Sequence, residues 1–91
     1  MARERQIILD TETTGFYAEQ GDRMLEFAGI EMKNRQLTHQ ALHLYIHPER
    51  DVPAEAAAVH GLTLDILESK NAPKFAEVGQ QIADFLRGAE L

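Results

Sequence analysis

Five residues near the start, Gln6-Ile7-Ile8-Leu9-Asp10, constrain this chain more than any other segment. Two adjacent β-branched residues and a leucine make a short, nearly continuous apolar run, the signature of a strand buried in the middle of a sheet. A carboxylate closes the run, and a second follows in Asp10-Thr11-Glu12. Strand side chains alternate faces, so Asp10 and Glu12 point the same way, with Cα atoms about 6.6–7 Å apart. Two acids at the end of an apolar strand are costly unless water or a cation neutralises them. At that spacing they can converge on one hard divalent ion. Taken alone, D-x-E is short and common, and it favours the plainer reading of two hydrated acids where a strand reaches solvent.

The remaining pattern supplies neighbours for that strand. Thr13-Thr14-Gly15 ends it, and residues 15–23 form a polar loop with two glycines. Met24 to Lys33 reads as a second strand and Leu37 to His47 as a third, in which Leu42, Leu44 and Ile46 alternate with His43, Tyr45 and His47. The turn Asn34-Arg35-Gln36 between them is short enough to make them antiparallel neighbours. Pro48 stops the third strand. Pro53 opens a short alanine-rich helix over Ala54 to Val59, with Gly61 as its stop, and Thr63 caps a second helix running through Glu68. The strongest helix spans Lys74 to Arg87, where Phe75, Val78, Ile82, Phe85 and Leu86 form one apolar stripe and Gly88 closes it. The order is three strands, then helices, then Ala89-Glu90-Leu91, placed as the first residues of a parallel crossover strand would be.

Composition sets the limits of function. A chain of 91 residues suffices for one small domain. It has no cysteine, so neither a disulfide framework nor a thiolate metal site is available. No apolar run approaches the roughly 18 residues of a membrane span, and Met1-Ala2-Arg3-Glu4-Arg5 lacks the apolar segment of a signal peptide. A cytoplasmic location without membrane attachment is the expectation. A net charge of −6 argues against binding long stretches of duplex, but it is compatible with nucleic-acid chemistry in which cations sit between carboxylates and phosphates.

The histidines are plain by spacing alone. His43 and His47 are four apart, a metal-ligand spacing on a helix, but their segment alternates as a strand and lacks the glutamate of the zinc-protease pattern. Both are expected to face solvent, and His39 lies near the turn without a role. Glu26 shares a strand pattern with Met24, Ala28, Ile30 and Met32 and reads as an acid satisfied near the strand end.

The motifs taken together are more specific. Asp10-Thr11-Glu12-Thr13-Thr14-Gly15 directly after Ile7-Ile8-Leu9 resembles the first motif of the DEDD family of 3′→5′ exonucleases. More closely, it resembles the proofreading (epsilon) type that accompanies bacterial replicative DNA polymerase III. The likeness continues in order through Leu25-Glu26-Phe27-Ala28-Gly29-Ile30-Glu31, Asn34-Arg35-Gln36-Leu37-Thr38, Tyr45-Ile46-His47-Pro48, Val59-His60-Gly61-Leu62 and Phe75-Ala76-Glu77-Val78. It therefore covers essentially the whole chain.

The resemblance implies an α/β, ribonuclease-H-like exonuclease fold, truncated after three antiparallel strands and the first helical crossover. It implies that residues 1–91 are the N-terminal portion of a single exonuclease domain, with later strands, helices and motifs absent. Asp10 and Glu12 match the acids that bind a pair of Mg²⁺ or Mn²⁺ ions and act in catalysis. Glu55 and His60 match residues lining the pocket for the 3′-terminal nucleotide. Phe16 takes the place of an apolar wedge against the last bases, and Thr13 stands close enough for a backbone or hydroxyl contact to the nucleotide. The family's site has four acids and one histidine. The second-motif acid and the third-motif histidine and acid lie beyond the segment ending at Leu91. None of His39, His43, His47 and His60 matches that histidine, the family's general base. The implied reaction is hydrolysis of the 3′-terminal phosphodiester of single-stranded DNA in replication proofreading. The implied partners are the polymerase catalytic subunit and other replicase subunits, and residues 1–91 alone are expected to be inactive. The alternatives are a non-catalytic module that binds a nucleotide or a partner, and an RNA-trimming relative with the same first motif.

Overall fold

In a computed structural model, residues 5–15 and 21–89 are described. Three strands, β1 (Arg5–Thr13), β2 (Met24–Lys33) and β3 (Gln36–Tyr45), precede three helices, α1 (Ala54–His60), α2 (Leu64–Ser69) and α3 (Phe75–Leu86). The strands form one antiparallel sheet in the order β1-β2-β3. β2 has the expected bounds. The β2–β3 turn is tighter than expected, because Lys33 pairs with Gln36 and leaves only Asn34 and Arg35 at its tip. Both adopt positive φ, 51° and 65°, which matches the turn to the twist of its strands.

Two irregularities shape the sheet. Glu12 pairs with Glu26 and Thr13 with Met24, so the ladder passes over Leu25. Leu25 packs with Leu62 and Leu67, while Phe27 packs with Ile46, Val78 and Ile82. The second irregularity follows Ile30, where β3 carries extra residues and His39 takes φ 71°. Thr38 turns its hydroxyl to Glu31 Oε1 at 2.7 Å.

α3 begins beside β3's end, where His47 bridges Lys74, and lies over one face of the sheet against Phe27, Leu42 and Leu44. Its last turn reaches the start of β1. Arg5 donates to the carbonyls of Phe85 (2.6 Å) and Arg87 (2.9 Å), lies over the Phe85 ring and pairs with Glu31. Those carbonyls have no partner within the helix, so a cation there caps it. α3 thus returns the chain to the N-terminal end of β1, as a parallel crossover requires. Of the expected crossover strand only Ala89 is described; Glu90 and Leu91 lie outside the described residues.

The expectation of a buried central strand at Gln6–Asp10 needs correction within this sheet. Among the described residues β1 is paired on one side, by β2. Ile7 is buried under α3, but Ile8 is 57% exposed and Leu9 38%. Ile8 faces Ile30, itself 44% exposed, on the face opposite α3. The strand has the apolar content of a doubly covered one, and these residues cover one of its faces.

Candidate active site

The groove that matters opens where β1 ends. It has a volume of about 840 Å³ and runs between residues 11–15 of β1 and its exit, Asp22, and the α1 side chains of Glu55, Ala56, Val59 and His60 with Pro53. Chain segments far apart in sequence meet there because β1 and β3 run the same way and deliver the loop before α1 to β1's acidic end.

Glu12 is half-buried and lines the groove, whereas Asp10 is exposed and is not among the lining residues. Asp10 stands opposite Ala28, and Glu12 opposite Glu26. Two like charges directly across a sheet are unfavourable. Glu26 is occupied instead by His43, whose Nε2 meets Glu26 Oε2. Glu26 is thus the satisfied acid the strand pattern suggested, and His43 is an exposed strand residue as expected. His47 differs. It lies beyond β3, half-buried, with Nδ1 accepting from Glu49 N–H (2.9 Å) and Nε2 against Glu68 Oε2 (3.2 Å).

Thr13 and His60 are joined. Leu62 N–H donates to His60 Nδ1 (3.0 Å), so Nε2 carries the proton and donates to the Thr13 carbonyl (3.2 Å). The Thr13 hydroxyl donates to Gly15 O (2.6 Å). Glu55 is exposed in the first turn of α1 and lines the groove with His60. Glu12, Thr13, Glu55 and His60 therefore share one groove, with Asp10 two residues along β1. Phe16 lies outside the described residues.

As donors, the two carboxylates on one strand face are the hard oxygen ligands that Mg²⁺ or Mn²⁺ prefers. They fit such an ion in kind and direction. Among the described residues no group of three or more His, Cys, Asp or Glu converges on one point.

Sequence reasoning missed a polar network behind the groove. Thr14 is buried, donates to Asp22 Oδ1 (2.8 Å) and accepts from Arg23 N–H (2.9 Å). Arg50 reaches the same Asp22 oxygen (3.1 Å) and Gly21 O (3.0 Å). A Cβ at position 15 would run into the Asp22 carboxylate, so a larger residue than Gly15 would displace it from Thr14 and Arg50. Asp22 and Arg50 are far apart in the chain and belong to no periodic pattern, so spacing carried no signal for them.

A family model described as Exonuclease (RNase_T) matches residues 7–91. The chain belongs to the exonuclease family. Among curated relatives it is similar to DNA polymerase III subunit epsilon of Pasteurella multocida, 48% identical over 96% of this chain, and of Escherichia coli, 44% identical over 96%. The same subunit of Rickettsia conorii is 43% identical over the whole chain. The chain spans 35–39% of the length of these relatives. Two solved structures share the fold at 21% identity: cell-death related nuclease 4 at TM-score 0.73 and the nuclease domain of 3′hExo, a DEDDh family member, at 0.71. Each is matched over 93% of this chain and over 30% and 44% of its own length. The ribonuclease-H-like architecture expected from the exonuclease motifs is thus the one found: three antiparallel strands, then helices, as in the first part of that fold. No helix among the described residues is long and apolar enough to cross a membrane.

Proposed function

We propose that this chain is the N-terminal portion of a single exonuclease domain that proofreads DNA replication, removing nucleotides one at a time from the 3′ end of single-stranded DNA. The observation that carries this reading is the convergence of Glu12, Thr13, Glu55 and His60 on one groove, with Asp10 on the same strand face as Glu12. Asp10 and Glu12 hold the metal, and the β1–α1 groove holds the terminal nucleotide. His60 presents its ring from the α1 wall, while its bond to Thr13 O holds the end of β1 in place. Phe16 belongs to the same reading as a stacking residue against the last base. When bound, Mg²⁺ or Mn²⁺ stabilises the attacking and leaving oxygens of the phosphodiester. The replicase partners, a polymerase catalytic subunit and its companions, follow from the likeness to epsilon subunits.

The test uses a form of the protein long enough to span the curated relatives. With 5′-labelled single-stranded DNA and RNA, we expect metal-dependent, stepwise release of mononucleotides from DNA. Asp10→Ala and Glu12→Ala should each reduce it by orders of magnitude with unchanged thermal unfolding. Residues 1–91 alone should show negligible activity, since a metal site short of ligands loses most of its rate. Full activity in both variants would overturn the site assignment; a strong preference for RNA would overturn the substrate.

A further inference from the structure

The α1 wall of the groove is not held by a core. None of its seven residues is buried, and Val59 is 84% exposed. Burial of apolar side chains is what normally fixes a short helix on its domain, since so few residues are marginal on their own. Apolar packing reaches only the flanking Val52 and Leu62, which join Leu25 and Leu67, and polar ties approach α1 itself from both ends. At its C-terminal end His60 Nε2 donates to Thr13 O, on the opposite wall. Three residues before its N-cap Pro53, Arg50 donates to Asp22 Oδ1 and Gly21 O. The same Asp22 oxygen accepts from the Thr14 hydroxyl, while Thr14 N–H donates to Arg23 O and Arg23 N–H donates to Thr14 Oγ1. Asp22 therefore joins the end of β1, the start of β2 and the segment leading into α1. Its carboxylate side chain is only 16% exposed and that of Arg50 35%, so water screens this pair less than an open surface pair.

We propose that Asp22 and Arg50 are positioning residues: their ion pair anchors the N-terminal side of α1 to the Thr13–Gly15 wall and so sets the width of the groove. Neither need touch the reacting atoms. Arg50 holds the wall that carries Glu55 and His60, and Asp22 holds Thr14 and Arg50 at once. Loss of the pair leaves His60 and the apolar flanks Val52 and Leu62 as the described anchors of α1, and the N-terminal side of the wall loosens. Loss of guanidinium geometry alone is a milder change: Arg50 reaches both acceptors through the one nitrogen Nη1, and a lysine keeps the charge but carries it on a shorter side chain without the planar donor geometry.

This inference rests in part on reading the groove as a nucleotide site, so two readouts are needed. Amide hydrogen exchange in the 91-residue chain reports α1 directly, without a ligand. Arg50→Ala and Asp22→Asn should speed exchange at residues 57–61 about tenfold relative to the α3 amides. Arg50→Lys should fall between wild type and Arg50→Ala, and Mn²⁺ binding should stay at the wild-type value. Titration with thymidine 5′-monophosphate should show weaker binding in the same order. If α1 exchange is unchanged in both Arg50→Ala and Asp22→Asn, the proposal is wrong. If exchange responds as expected but wild type binds no nucleotide, the anchor stands and the nucleotide reading fails.

Discussion

Glu31 is buried on the face of β2 that packs under α3, and its charge is matched locally. Hydrogen bonds from Arg5 and then Thr38 hold its carboxyl below its ordinary value of about 4.5. The sign follows from linkage. A carboxyl whose folded pKa is depressed adds stability that is fully present above the unfolded value and is lost as pH falls through the folded one. Between pH 7 and about 5 the Glu31 contribution should be flat; below about 4.5 it should decline. Melting temperatures of wild type and Glu31→Gln across this range should therefore converge as the solution is acidified, and a constant gap down to low pH would show that the carboxylate is not what Arg5 stabilises. Asp10 and Glu12 give a second residue-scale prediction. Mn²⁺ added to residues 1–91 should broaden amide signals around these two acids at millimolar concentrations, and Asp10→Ala or Glu12→Ala should abolish the effect. Broadening centred elsewhere would remove the metal assignment.

Among the elements, α2 is the clearest case of local sequence and packing in agreement. Thr63 accepts from Ile66 N–H at 3.2 Å, and Leu67, fully buried, anchors the helix to Leu25 and Leu62. Thr63→Ala should cost about 0.5–2 kcal/mol, read as a lower urea midpoint at unchanged slope. Leu67→Ala should cost about 2–5 kcal/mol, enough to unfold much of a small chain whose whole stability is of order 5–15 kcal/mol. Equal effects from the two would mean that the cap, rather than the buried side chain, determines whether α2 forms. β1 shows the opposite relation. Its sequence is that of an interior strand, yet Ile8 and Leu9 meet solvent in this sheet and one edge has no strand beside it among the described residues.

That edge governs the behaviour of the molecule as a whole. An apolar strand with one side open is a template for pairing with another chain. The covered side is packed by α3, with Val78 and Ile82 as its buried residues, and at Leu25 by Leu67 of α2. Residues 1–91 by themselves should self-associate or melt at a temperature that rises with protein concentration. Sedimentation and thermal unfolding at several concentrations measure this, and Ile8→Lys, which puts a charge on the open face, should shift the chain toward monomer. A concentration-independent monomer with a sharp, high transition would mean that β1's edge is protected by other means.

The order of elements, the span of β2, the capped α2 and most of the α3 stripe were legible in the sequence; Val78, Ile82, Phe85 and Leu86 pack on the core, whereas Phe75, at the first turn, is 49% exposed. Each depends on residues within a few positions of one another, where alternation, helical spacing and capping chemistry act. The motif order was also enough to indicate the exonuclease family. What the sequence could not determine were contacts between distant segments. The bulge that sends Leu25 and Phe27 to different clusters depends on pairing between strands. Arg5 precedes the apolar run without any pattern of its own, and only folding brings it to Glu31 and the end of α3. Asp22 and Arg50 lie 28 residues apart without a pattern, and His60 is 47 residues from the carbonyl it meets. Spacing rules report which face a side chain takes within one element. Which elements then face one another is decided by burial of the two small cores, and only that decision turns scattered polar residues into the walls of a groove.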